Sequence, residues 1–204
     1  MNKTLLATSL ALALVSAGQV LGQNLYAGGG LAYTNGTSDT VSAGSGSSSL
    51  TAPLLSAIFG QRFASANAFW GWETNADFGF GVGTKGSITD AGCAGSASGS
   101  YLCEQDATAR FVGYLGTTVG NGIGVFGSVG VGGLHGQFST SPSASDRGYI
   151  YGWTAGVGIS HGLFNGMEMR GELIYDKFGN PDQPKGFKSE YTGTTLRVSV
   201  VRKF

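Results

Sequence analysis

In segment after segment from residue 24 to Phe204, oily and polar side chains alternate at every second position. The run from Met167 to Asp176 is the clearest case: Met167, Met169, Leu173 and Tyr175 fall on one side of an extended chain, and Glu168, Arg170, Glu172 and Asp176 on the other. A helix would mix these two sets, whereas period two sorts them, so the chain reads as all-β. No later apolar run is long enough to cross a bilayer as a helix. If a membrane holds such a chain, only a closed barrel satisfies all its backbone groups in hydrocarbon.

Eight segments carry this alternation: about 24–34, 51–63, 67–79, 105–118, 123–138, 149–161, 167–178 and 190–204. In the third, Ala68, Trp70, Trp72 and Thr74 share one face, while Glu73, Asn75 and Asp77 share the other with Phe69. Between the segments, long polar stretches (35–49, 80–104, 139–148, 179–189) take turns with short ones (64–66, 119–122, 162–166). Short turns on one side and longer loops on the other are how membrane barrels are built. An even number of strands brings both ends of the barrel to the short-turn side.

Residues 1–17 have a different character. Lys3 precedes an apolar stretch of about a dozen residues that ends on Val15-Ser16-Ala17. This is the layout of a cleavable secretory signal peptide, and the stretch is too short to span a bilayer. Cleavage is expected after Ala17, or as late as Gly22, leaving 18–204 as one barrel domain. Removing Lys3 leaves 11 basic against 12 acidic residues, so there is no basic footprint for nucleic acid. Charged residues make up only 12% of the chain, about half the usual share, and 37 residues are Gly. That is an odd surface for a soluble domain, but it suits a wall that faces lipid around a narrow interior.

The last segment places Leu196, Val198, Val200 and Phe204 on one face, with Arg197, Ser199 and Lys203 on the other. A strand that stops on an aromatic resembles the terminal strand of outer-membrane barrels. In that family the final Phe helps the assembly machinery recognise its client. Arg202 departs from the pattern, standing where the family has an apolar residue; at the membrane rim it can snorkel to the headgroups. Over the whole of 18–204 the pattern resembles the small eight-stranded outer-membrane proteins of the OmpA, OmpX and opacity-protein kind. The resemblance implies an up-and-down antiparallel barrel in a bacterial outer membrane. It also implies outer-membrane lipids, lipopolysaccharide and the barrel-assembly machinery as partners, together with an external ligand that the sequence does not name.

Within that frame, Trp70, Trp72, Tyr149, Tyr151, Trp153, Tyr175 and Tyr191 read as interface aromatics, rings with one polar end at headgroup level. Glu73, Arg110, Glu168, Arg170, Glu172 and Arg197 point to the interior from four strands. Charges persist there only when paired, so an acid–base ladder is expected. In the resembled family such ladders plug the barrel or act as a narrow gate; a structural plug is the expectation here, because an eight-stranded interior is filled by side chains. Cys93 and Cys103 fall in the longest polar stretch, and export to an oxidising compartment favours a disulfide between them. Gly81-Val82-Gly83-Thr84-Lys85-Gly86 matches a phosphate-loop pattern, but no helix follows it and the chain is too Gly-rich for the match to carry weight. His135 and His161 sit at opposite ends of the barrel, which argues against a lipid-modifying enzyme. The sequence thus points to a non-catalytic barrel without metal or cofactor, of structural or surface-interaction role, with a narrow channel as the alternative.

Overall fold

The computed structural model describes residues 24–40, 47–79, 101–141, 144–179 and 189–204. The signal-peptide segment, Cys93 and the glycine motif at 81–86 lie outside the described residues. Eight strands follow in order: β1 (Leu25–Thr40), β2 (Ser47–Ser65), β3 (Ala68–Gly79), β4 (Tyr101–Val119), β5 (Ile123–Ser141), β6 (Ala144–Gly162), β7 (Met167–Gly179) and β8 (Ser189–Lys203). Each pairs antiparallel with the next, and β8 pairs back onto β1 to close the barrel. The described residues include no helix long and apolar enough to cross a membrane.

Tight turns join the strands at one end. Ser65 pairs with Ala68 across a two-residue turn that holds Ala66 at a φ of 49°. Gly120 and Gly122 also take positive φ in the β4–β5 turn, which explains the glycines there. This is the periplasmic end.

The other end differs from the sequence reading. The stretch at 35–49 is strand up to Thr40 and again from Ser47. The stretch at 139–148 is mostly strand, since β5 runs to Ser141 and β6 begins at Ala144. The long stretch before Gln105 is strand from Tyr101 onward. These segments of Ser, Thr and Gly show no hydropathy contrast, yet their backbone groups still pair across strands. β4, β5 and β6 reach 19 residues each, where 9–11 tilted residues suffice to cross a bilayer, so the barrel projects past the outer leaflet.

The distribution of polarity is inverted relative to a soluble protein. Val129 is 65% exposed on the outer wall and Val157 62%, while Arg110 is 3% exposed within and Arg197 1%. An apolar exterior around buried charges is stable only where the surroundings are lipid.

Candidate functional site: the charged interior of the barrel

Parity along each strand sends ionisable side chains inward, and closure of the barrel brings them into one column. At its periplasmic foot, Glu168 accepts from Arg62 Nη1 and Nη2 at 2.5 and 2.9 Å and from Arg170 Nε at 2.8 Å. Lys203 reaches the same carboxylate from the rim at 3.5 Å. The Arg62 guanidinium lies over the Phe69 ring at 4.4 Å, and that of Arg170 over the Tyr26 ring at 4.4 Å.

Glu73 is the hub of the next tier. Arg170 Nη1 donates to its Oε2 at 2.8 Å, and Arg197 Nη2 to its Oε1 at 3.0 Å. The Tyr26 hydroxyl and Asn75 Nδ2 also donate to Glu73, at 2.9 and 3.2 Å. Arg197 grips Glu172 through Nε and Nη2 at 2.9 and 2.8 Å; the two are direct register partners on β8 and β7.

Above this stands Arg110. It donates to both carboxylate oxygens of Asp176, at 2.8 and 2.6 Å, and pairs with Asp77. Asn75 Oδ1 accepts from Arg110 Nη1 at 3.3 Å and so joins this tier to the Glu73 tier. From Arg110 a hydroxyl chain continues through Thr195 and Thr34 to the Tyr191 hydroxyl.

All six residues named from sequence therefore point inward and take part in this column. Sequence reasoning left Arg62, Asp77, Asp176 and Tyr26 out of it, although Asp77 and Asp176 have the inward parity of Glu73 and Glu172. Among the described residues of the column three buried arginines and the part-buried Arg62 meet five carboxylates, and Lys203 supplies a fifth cation at the rim. Each buried charge thus has a partner, which is the condition for keeping it out of water.

Apolar side chains gather at both ends of the column. Tyr26, Ile58, Phe69, Tyr114, Phe126 and Val201 pack around its foot, with Phe69 6.4 Å from Tyr114 and 6.3 Å from Phe126 between ring centres. Toward the outer mouth Leu50, Leu102, Leu134, Ile150, Phe178 and Tyr191 form a second apolar layer, none of them more than 1% exposed. Phe178 and Tyr191 stack at 6.1 Å. Gly36 and Gly193 face the Tyr191 ring, and a Cβ on Gly36 would lie 2.6 Å from it. The ring fits because those two positions lack side chains.

Tyr191 is therefore not an interface aromatic: it shares the odd, inward parity of Arg197 and is buried. Trp70, Tyr149, Tyr151, Trp153 and Tyr175 do face outward and are exposed. Trp72 lies half-buried on the same wall between Phe59 at 5.8 Å and Phe111 at 6.0 Å. Trp70 and Trp72 lie toward the periplasmic turns; the other four occupy the outer halves of β6 and β7. Leu196, Val198, Val200 and Phe204 are likewise exposed on the outer wall.

His135 sits on the outer wall near the mouth, its Nδ1 3.1 Å from Asp106 and its ring 4.5 Å from that of Tyr149. His161 is at the periplasmic end of β6. The Cys103 backbone belongs to β4, but its side chain, like Cys93, lies outside the described ones.

No protein-family model matches the chain, and no curated protein matches it in sequence. Solved structures do share the fold. The outer membrane protein OprG from Pseudomonas aeruginosa aligns over 90% of this chain and 96% of its own, at 13% identity and a TM-score of 0.52. The outer membrane protein AlkL, determined by solid-state NMR in DMPC bilayers, aligns over 91% and 93%, at 14% identity and 0.51. Ail, the attachment invasion locus protein of Yersinia pestis, aligns over 89% and 99%, at 10% identity and 0.49. At such identities the likeness is one of fold. A closed eight-stranded antiparallel barrel with an apolar wall and a charged interior defines the class: this is a small β-barrel of the bacterial outer membrane.

Proposed function

We propose that the chain is a closed, non-catalytic surface barrel whose role is structural or interactive and lies at its outer end. The observation that carries this reading is the filled interior: a paired charge column held between two apolar layers. A lumen packed in this way offers no open path for solutes. Planar-bilayer recording of the refolded protein is expected to show no unitary currents. Stable, voltage-independent openings would replace this reading with that of a narrow channel.

The partners in this reading are the lipids and lipopolysaccharide around the wall, and the barrel-assembly machinery, which would meet the outward Leu196, Val198, Val200 and Phe204. A Cys93–Cys103 disulfide would pin the 80–100 segment to the end of β4 and stabilise by about 2–3 kcal/mol. Mass spectrometry of the exported protein is expected to show both thiols resistant to alkylation until reductant is added.

A further inference from the structure

β4 does not simply follow the wall to the mouth. Its register with β5 slips twice near its outer end, between Leu102 and Glu104 and again between Gln105 and Ala107, leaving Cys103 and Asp106 as extra residues. Such bulges bend a strand and interrupt its ladder. Its described pairing with β3 ends at Ala107, opposite Phe78. Beyond that point the Leu102 N–H donates to Ser38 Oγ of β1 at 3.3 Å. β1 is three strands away around the sheet, so this bond spans the mouth instead of following the wall. The Leu102 side chain, 1% exposed, enters the outer apolar layer beside Leu50 and Leu134. Gly136 leaves room for it, since a Cβ there would come within 2.7 Å of Leu102 Cδ1. Gln105, at the second bulge, donates to Thr108 but leaves a buried Oε1 without a partner among the described residues.

We propose that the bulged end of β4, Leu102–Gln105, is a strap across the outer mouth, and that the apolar layer it completes, not the charge column, keeps external water out of the barrel. The proposal rests on the closed-barrel reading and names the part that does the closing. An apolar constriction excludes water and ions by dewetting without being blocked by charge. Among the described residues, the strap is held by its interrupted pairing with β5, by the inserted Leu102 side chain and by one hydrogen bond to a distant strand, and β3 does not pair with it. It can therefore lift while β5 and β6 keep their pairing.

The test places a thiol reporter under the layer. Thr195 is fully buried and bonded to Thr34, just inside Tyr191. With Thr195→Cys in the full chain in bicelles, reaction with a charged methanethiosulfonate is followed by peptide mass, which separates this site from Cys93 and Cys103. Asp39→Cys, on the exposed wall, serves as the fast reference. The reporter should stay protected in the otherwise native chain. Leu102→Ser and Ser38→Ala should each speed its labelling at least about tenfold, while Asn121→Ala in the exposed turn at the opposite end should not. Ser38→Ala removes only a hydroxyl, so the test survives if Leu102→Ser fails to fold. A native reporter as reactive as the reference, or strap variants that keep heat-modifiable migration and full protection, would overturn the proposal. Currents through the native chain would instead defeat the closed-barrel reading, so the two failures are distinguishable.

Discussion

Replacing Glu73 with Ala should be the most damaging single change inside the barrel, lowering stability by about 3–5 kcal/mol. The carboxylate accepts from Arg170, Arg197, Tyr26 and Asn75 at once. Its removal leaves two guanidinium groups, each 2% exposed or less, short of one carboxylate: Arg170 keeps only Glu168 and Arg197 only Glu172. The cost is mainly that of a buried excess of positive charge and of donors left unmet, not the net worth of the pairs. Tyr26→Phe removes one donor and leaves every charge paired, so it should cost only about 1 kcal/mol. Urea titration in lipid vesicles, read by heat-modifiable gel migration, would measure both. Equal midpoints for Glu73→Ala and the native chain would show that the column contributes nothing to stability.

On the other side of the wall, Val129→Arg should cost about 2–4 kcal/mol. Val129 lies in β5 between Gly113 and Ala155, with its side chain 65% exposed. In water an exposed Val→Arg would be close to neutral. At the middle of a hydrocarbon band the same change places a charge in lipid. Asn121→Arg, in the exposed β4–β5 turn, provides the control and should cost no more than about 1 kcal/mol. The same titration decides the matter: two variants of equal stability would mean that this wall does not face acyl chains.

The strands themselves were legible because one face meets lipid and the other meets charge, which writes period two into β3 and β7. The ladder residues followed from parity alone, and Arg62 could have been found in the same way, since it continues the inward set Ser56, Ile58 and Gly60 on β2. The outer end was harder. Above the lipid neither face is uniformly apolar, so hydropathy no longer reports on pairing, and the strand continuations to Thr40 and Ser141 read as loop. Leu134, Ile150 and Phe178 have inward parity, yet nothing in their spacing shows that six strands bring them into one layer. The bulges at Cys103 and Asp106 are invisible to any periodic reading, because each inserts one residue and shifts parity locally. Tyr191 was misplaced by residue type, where its parity with Arg197 would have placed it correctly.

The seam between β1 and β8 has a consequence for how such a chain can be made. Its pairs run from Tyr26 opposite Lys203 to Thr40 opposite Ser189, joining the two extremes of the barrel sequence. Contacts this distant in sequence come slowly, because a large loop must be ordered before they form. Until they form, two raw edges would meet hydrocarbon at several kcal/mol for each unsatisfied group. Partial insertion is therefore penalised in proportion to its depth. The energetically tolerable route is to keep the hairpins together at the bilayer surface, or under a protective escort, and to commit all eight strands at once.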